Sequence, residues 1–66
     1  MNSAQRLAAN VRRRREELGL TQAELCKRSG FALAQVSRFE RGVGVTLTTL
    51  DRLAKALRVT AAELLS

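Results

Sequence analysis

The sequence contains no histidine, no proline, no tryptophan or tyrosine, and a single cysteine, Cys26. Without His and with one Cys, the four nitrogen or sulfur ligands of a usual zinc site cannot be assembled within one chain, and no disulfide can close inside it. Hydrolytic triads and phosphoryl transfer are as poorly provided for. General acid–base chemistry is limited to carboxylates, of which Glu40 reads as structural and the rest fall on helical surfaces. No enzymatic activity, metal, cofactor or small-molecule substrate is therefore expected. No stretch approaches the roughly 18 apolar residues of a membrane span, and the N-terminus lacks the apolar run of a signal peptide. A cytoplasmic protein that does not engage membranes is the expectation.

Size is the next shortage. Sixty-six residues with two phenylalanines as the only aromatics give a core worth about 3 to 5 kcal/mol. One domain spanning residues 1–66 is expected, and a chain this small gains from association with a second copy. What is abundant is positive charge. Ten Arg and two Lys against six acidic residues leave a net charge of +6. Arginine suits phosphate recognition because its planar fork donates two hydrogen bonds to one group and keeps its charge, so a polyanionic partner is implied.

Apolar residues recur at helical spacing through nearly the whole chain, with no alternating runs of β-formers, which predicts an all-α fold. Leu7, Val11 and Leu18 form one stripe of a first helix, about Ser3 to Leu18, closed by Gly19. Thr21 and Glu24 stand at capping-box spacing and start a second helix, Gln22 to Ser29, which Gly30 ends. A third runs from about Ala32 to Arg41 on Val36, Phe39 and Glu40, lacks a side-chain oxygen at its start, and closes at Gly42. Thr46 caps a fourth whose Leu47, Leu50, Leu53, Ala54 and Leu57 make a broad apolar face ending near Arg58. Thr60 and Glu63 start a short fifth helix before Leu64 and Leu65.

The second and third helices, joined by a tight turn at Gly30, have the spacing of a helix-turn-helix. Leu25, Val36 and Phe39 would fill the wedge between them, with Cys26 as a small buried residue at the crossing. The stretches RRRREELGLTQAEL (12–25), VSRFERG (36–42) and LDRLAKALRVTAAELL (50–65) resemble the phage repressor and Cro-like (Xre-type) helix-turn-helix proteins. That resemblance implies a compact five-helix domain whose third helix enters the major groove of a double-stranded DNA operator, usually as a two-fold homodimer.

At the matching positions, Gln22 is implied to bond a phosphate at the helix N-terminus, with Thr21 either capping or joining it. The outward face of the third helix offers candidate base readers: Ala32, Leu33, Ala34, Gln35, Ser37 and Arg38. Arg38 could pair with guanine, Gln35 with adenine, and Leu33 and Ala34 could meet thymine methyls. Arg41 and the backbone N–H groups of Gly42, Val43 and Gly44 match phosphate contacts of the family. This loop is shorter and more apolar than is usual there, which shifts the expected phosphate contribution toward Arg12, Arg13 and Arg14. Arg15 and Glu40 both point partly inward, where burying either alone would cost several kcal/mol, so they are expected to pair. Leu64, Leu65, Leu47 and Val45 are candidates for a dimer surface. The competing reading is a protein-interaction module of the same fold, such as a toxin-binding antitoxin, using Phe31, Leu33 and Val43.

Overall fold

A helix begins where a side chain can accept from the free N–H groups of its first turn. In the computed structural model, which describes residues 2–66, five helices start in this way or nearly so. Helix α1 (Ser3–Glu17) starts on Asn2, whose Oδ1 accepts from the Gln5 N–H at 2.8 Å while Gln5 Oε1 accepts from the Asn2 N–H at 3.1 Å. In α2 (Gln22–Ser29) Thr21 and Glu24 make the expected reciprocal box. Helix α3 (Leu33–Phe39) has half a box, because Ala32 carries no oxygen and only Gln35 Oε1 accepts, from the Ala32 N–H at 2.9 Å. Thr46 with Thr49 starts α4 (Leu47–Ala56), and Thr60 with Glu63 starts α5 (Ala61–Leu65). Among the described residues every regular element is helical, as the periodicity implied.

The helix ends refine the sequence reading. The regular ladder of α3 stops at Phe39, two residues short of the expected Arg41. Its last turn tightens: the Gly42 N–H donates to Phe39 O and the Val43 N–H to Arg38 O, both at 3.0 Å. This is a Schellman ending with Gly42 as the left-handed residue, φ 80°. A Cβ on Gly42 would stand 3.0 Å from the backbone oxygen of Ala4, so the loop also relies on a bare Cα where it passes α1. Gly42→Ala is accordingly expected to lower stability by about 1 to 2 kcal/mol, from the positive φ and the contact together. A chemical denaturation curve superimposable on that of the unchanged chain would refute this. The same ending closes α4 with Arg58, at φ 58°, in the left-handed position that glycine usually fills.

The core is a single cluster. Leu7 and Val11 of α1, Leu25 of α2, Val36 and Phe39 of α3, and Leu50, Leu53 and Leu57 around α4 are buried, joined by Phe31 from the turn after α2 and Leu64 from α5. Leu18 is only half-buried, packing on the cluster's edge. Leu47 departs from expectation: at 80% exposed, the first residue of α4 lies outside the apolar face that begins at Leu50. Leu64, one of the dimer-surface candidates, is instead core. Cys26 is half-buried rather than fully so, against the same cluster.

One buried polar residue was not foreseen. Asn10 lies on the core side of α1, and its Nδ2 donates to Leu64 O at 2.8 Å and Ser66 O at 3.0 Å. These bonds satisfy the open carbonyls of the last helix and fix it across α1, since a five-residue helix has little stability of its own.

Candidate nucleic-acid interface

The helix-turn-helix is built on a rigid wedge. Leu25, Val36 and Phe39 fill it as expected, and Phe31 adds to it, its ring edge-on to Phe39 with centroids 5.0 Å apart. Arg52 of α4 lies over the outer face of Phe31 at 4.1 Å and donates to Ser29 O at 2.9 Å, so the fourth helix clamps the turn. Phe31 is thereby removed from the surface. The interaction-module reading loses that residue, because Phe31 is buried between Phe39 and Arg52, while Leu33 and Val43 stay about half exposed.

With Val36, Phe39 and Glu40 facing inward, α3 turns Leu33, Ala34 and Arg38 to solvent, with Ser37 half-buried between the two faces. Ala32 is exposed at its start and Arg41 just beyond its end. The side chains of Arg38 and Arg41 make no hydrogen bond or ion pair among the described residues, so both guanidinium forks are open to a ligand. Gln35 is different: its Oε1 already accepts from the Ala32 N–H, which spends one lone pair of that oxygen and turns the amide toward the start of α3. A two-bond pairing with adenine needs both ends of the amide, here the second lone pair of Oε1 together with the Nε2 donor. Leu33 and Ala34 give the face an apolar half suited to methyl contact.

The edge beside this face is organised by a buried carboxylate. Glu40, 3% exposed, accepts from Arg15 Nε at 2.6 Å and Arg15 Nη2 at 3.0 Å, a two-pronged pair, as the sequence led us to expect. Arg15 also donates to Leu20 O at 2.8 Å, so the pair ties α1 to α3 and to the loop before α2. The Glu40 hydrogen bond, more than any other influence, holds the Arg15 guanidinium even more firmly protonated than usual. Gln22 joins the same carboxylate, its Nε2 donating to Glu40 Oε1 at 3.2 Å. One Nε2 hydrogen of Gln22 is thus committed, and the other is free to donate outward.

Thr21 acts as a cap: its Oγ1 accepts from the Glu24 N–H at 3.1 Å, and its own N–H donates to Glu24 Oε1 at 2.9 Å. These bonds hold the Glu24 carboxyl below its ordinary value, the backbone bond to Thr21 contributing most. The Thr21 hydroxyl hydrogen is left over for an acceptor. Gly42 and Val43 follow Arg41 in the tight turn, with the Gly42 and Val43 N–H groups spent on α3 carbonyls. Those two N–H groups are not free for phosphate, contrary to the sequence expectation, because the Schellman ending uses them.

Three other cations face the fold itself. Arg14 donates to Leu57 O at 3.0 Å, Arg28 to Ala56 O at 3.3 Å, and Arg52 to Ser29 O at 2.9 Å. These bonds occupy helix-terminal carbonyls and were invisible to sequence patterning, since charged residues at those positions also fit a plain solvated face.

This geometry has counterparts. An uncharacterized HTH-type transcriptional regulator, y4dJ, of Sinorhizobium fredii is 42% identical over 67 residues, an alignment covering all of this chain and 87% of that protein. A hypothetical transcription factor from Neisseria, NHTF, superposes with a TM-score of 0.93 at 33% identity, covering 98% of this chain and 76% of that one. A domain-sized part of FeII HppE, 35% of its chain, has the same fold at a TM-score of 0.89 and 28% identity. A family model described as helix-turn-helix matches residues 11–64, which include the α2–turn–α3 unit and both partners of the Arg15–Glu40 pair. The chain belongs to the repressor- and Cro-like (Xre-type) helix-turn-helix family.

Proposed function

We propose that this chain is a sequence-specific, double-stranded-DNA-binding transcriptional regulator that reads the major groove with α3 and acts as a two-fold homodimer. The observation that carries the proposal is the division of α3. Its inner face is wholly consumed by the core, whereas its outer face offers an unpaired Arg38 beside small and apolar side chains. A free guanidinium matches the two acceptors of guanine, and Leu33 and Ala34 match thymine methyls. Gln22, Thr21 and Arg41 flank this face and supply the phosphate contacts that fix its register. The relative from Sinorhizobium is described as an HTH-type transcriptional regulator and the structure from Neisseria as a hypothetical transcription factor, which supports the same role here.

The homodimer reading draws on a second surface, beside the loop that follows α3. Leu65 and Val45 line a cleft of about 310 Å³ between the start of α1 and the loop before α4, with the exposed Leu47 one residue beyond the loop. The cleft lining holds no charged residue, so two copies with net charge +6 can meet there without opposing like charges directly.

Titration against genomic fragments in a gel-shift assay tests the proposal. If the complex forms about six to ten phosphate contacts, its affinity falls about 10³- to 10⁵-fold between about 50 and 200 mM salt. Binding that is indifferent to salt, or no binding at the lower salt, would contradict it.

A further inference from the structure

Four consecutive arginines, Arg12 to Arg15, span most of the circumference of α1 and so serve different ends. Arg15 is spent on Glu40, and Arg14 on Leu57 O and Glu17. Arg13 is exposed and reaches none of these groups. Arg12 approaches the helix-turn-helix through only a loose ion pair with Glu40 and stays open to solvent. Its Nη2 donates to the backbone oxygen of Glu40 at 2.8 Å, and its Nε stands 3.8 Å from Glu40 Oε1, while the side chain stays 53% exposed.

Arg12 and Arg41 line the same open cleft, about 450 Å³, together with Gln5, Ala8, Ala9 and Glu40. Around Glu40 the charges are one negative and three positive, from Arg15, Arg12 and Arg41, a local balance of +2. A guanidinium has five N–H donors, so Arg12 keeps most of its own after the bond to Glu40 O, and that bond fixes its direction in advance. Gln22 holds the same carboxylate from α2, which places the cleft on the edge of the helix-turn-helix already assigned to phosphate contact.

We infer that this cleft seats a backbone phosphate of the bound DNA, gripped by Arg12 from α1 and Arg41 from the end of α3. The inference rests on the DNA-binding reading above and adds a contact that the first helix makes. It replaces the general shift of affinity toward Arg12, Arg13 and Arg14 with one residue: Arg12 is the contact, Arg14 is structural, and Arg13 stands away from the DNA.

Salt-dependent fluorescence anisotropy on a short random-sequence DNA duplex separates these roles, comparing Arg12→Gln with Arg13→Gln, which remove the same charge. Arg12→Gln is expected to lower the salt slope by about 1 for each chain bound and to weaken binding at low salt by about 5-fold or more, while Arg13→Gln changes affinity by less than about 2-fold. Equal losses from the two variants would overturn the inference, because only the summed charge would then matter. In the unchanged chain, the Arg12 Nε–H NMR signal should shift on adding the duplex and the Arg13 signal should not, a readout independent of whether any variant folds. Saturation of the Arg12 shift by inorganic phosphate at matched ionic strength would assign the cleft to a small ion and also overturn it. Failure of the unchanged chain to bind any duplex defeats the DNA-binding reading itself, an outcome distinct from equal losses.

Discussion

Replacing Arg15 with methionine is expected to lower stability by about 3 kcal/mol, the lower end of the cost of stranding a buried charge. The lower end applies because Glu40 would keep Gln22 at 3.2 Å and the nearby Arg12, whereas both short bonds from Arg15 would go. A domain of 66 residues carries about 3 to 10 kcal/mol in total, so the variant would sit near the edge of folding. Its melting temperature should drop by more than about 12 °C, at about 4 to 8 °C for each kcal/mol in a domain this small. Replacing Glu40 with methionine in the same chain should recover most of the loss, since two apolar side chains can fill the space of a buried ion pair. A melting temperature within about 4 °C of the parent for Arg15→Met would show that the pair contributes little.

The second large effect concerns recognition. Arg38→Ala removes the one outward side chain of α3 able to make a two-bond contact with guanine, while leaving the core untouched because Arg38 is exposed and unpaired. Each such contact is worth about 1 to 3 kcal/mol of discrimination. A two-fold dimer makes it twice, so the preference for the specific site over random DNA should fall by about 2 to 6 kcal/mol, or roughly 30- to 10⁴-fold. Competition binding with specific and random duplexes measures this directly, and circular dichroism should show an unchanged melt. A loss of affinity equal for both duplexes would reassign Arg38 to a phosphate.

The architecture was legible because it is written in local signals. Thr21 with Glu24 and Thr60 with Glu63 fixed two helix starts, and glycine endings at Gly19, Gly30 and Gly42 fixed where three helices turn. The Arg15–Glu40 pair was legible for a different reason: two charges on apolar stripes have few ways to avoid an uncompensated burial. What stayed hidden depends on three-dimensional placement. The exposure of Leu47, the burial of Phe31 beneath Arg52, and the bonds from Asn10 to the carbonyls at the end of α5 join residues far apart in the chain. No periodicity reports such contacts. The roles of the four arginines of α1 were hidden for the same reason, because a run of one residue type carries no information about direction until the partners around the helix are in place.

The recognition face can be tested without knowing the operator. Selection of bound sequences from a random duplex pool by the unchanged chain should enrich two symmetric half-sites centred about 10 base pairs apart, one helical turn, as a two-fold dimer presenting α3 to successive major grooves requires. The same selection with Arg38→Ala should return that spacing with one base position in each half-site relaxed. Enrichment of no sequence, or of an identical motif by both chains, would contradict the assignment of α3 as the reading helix.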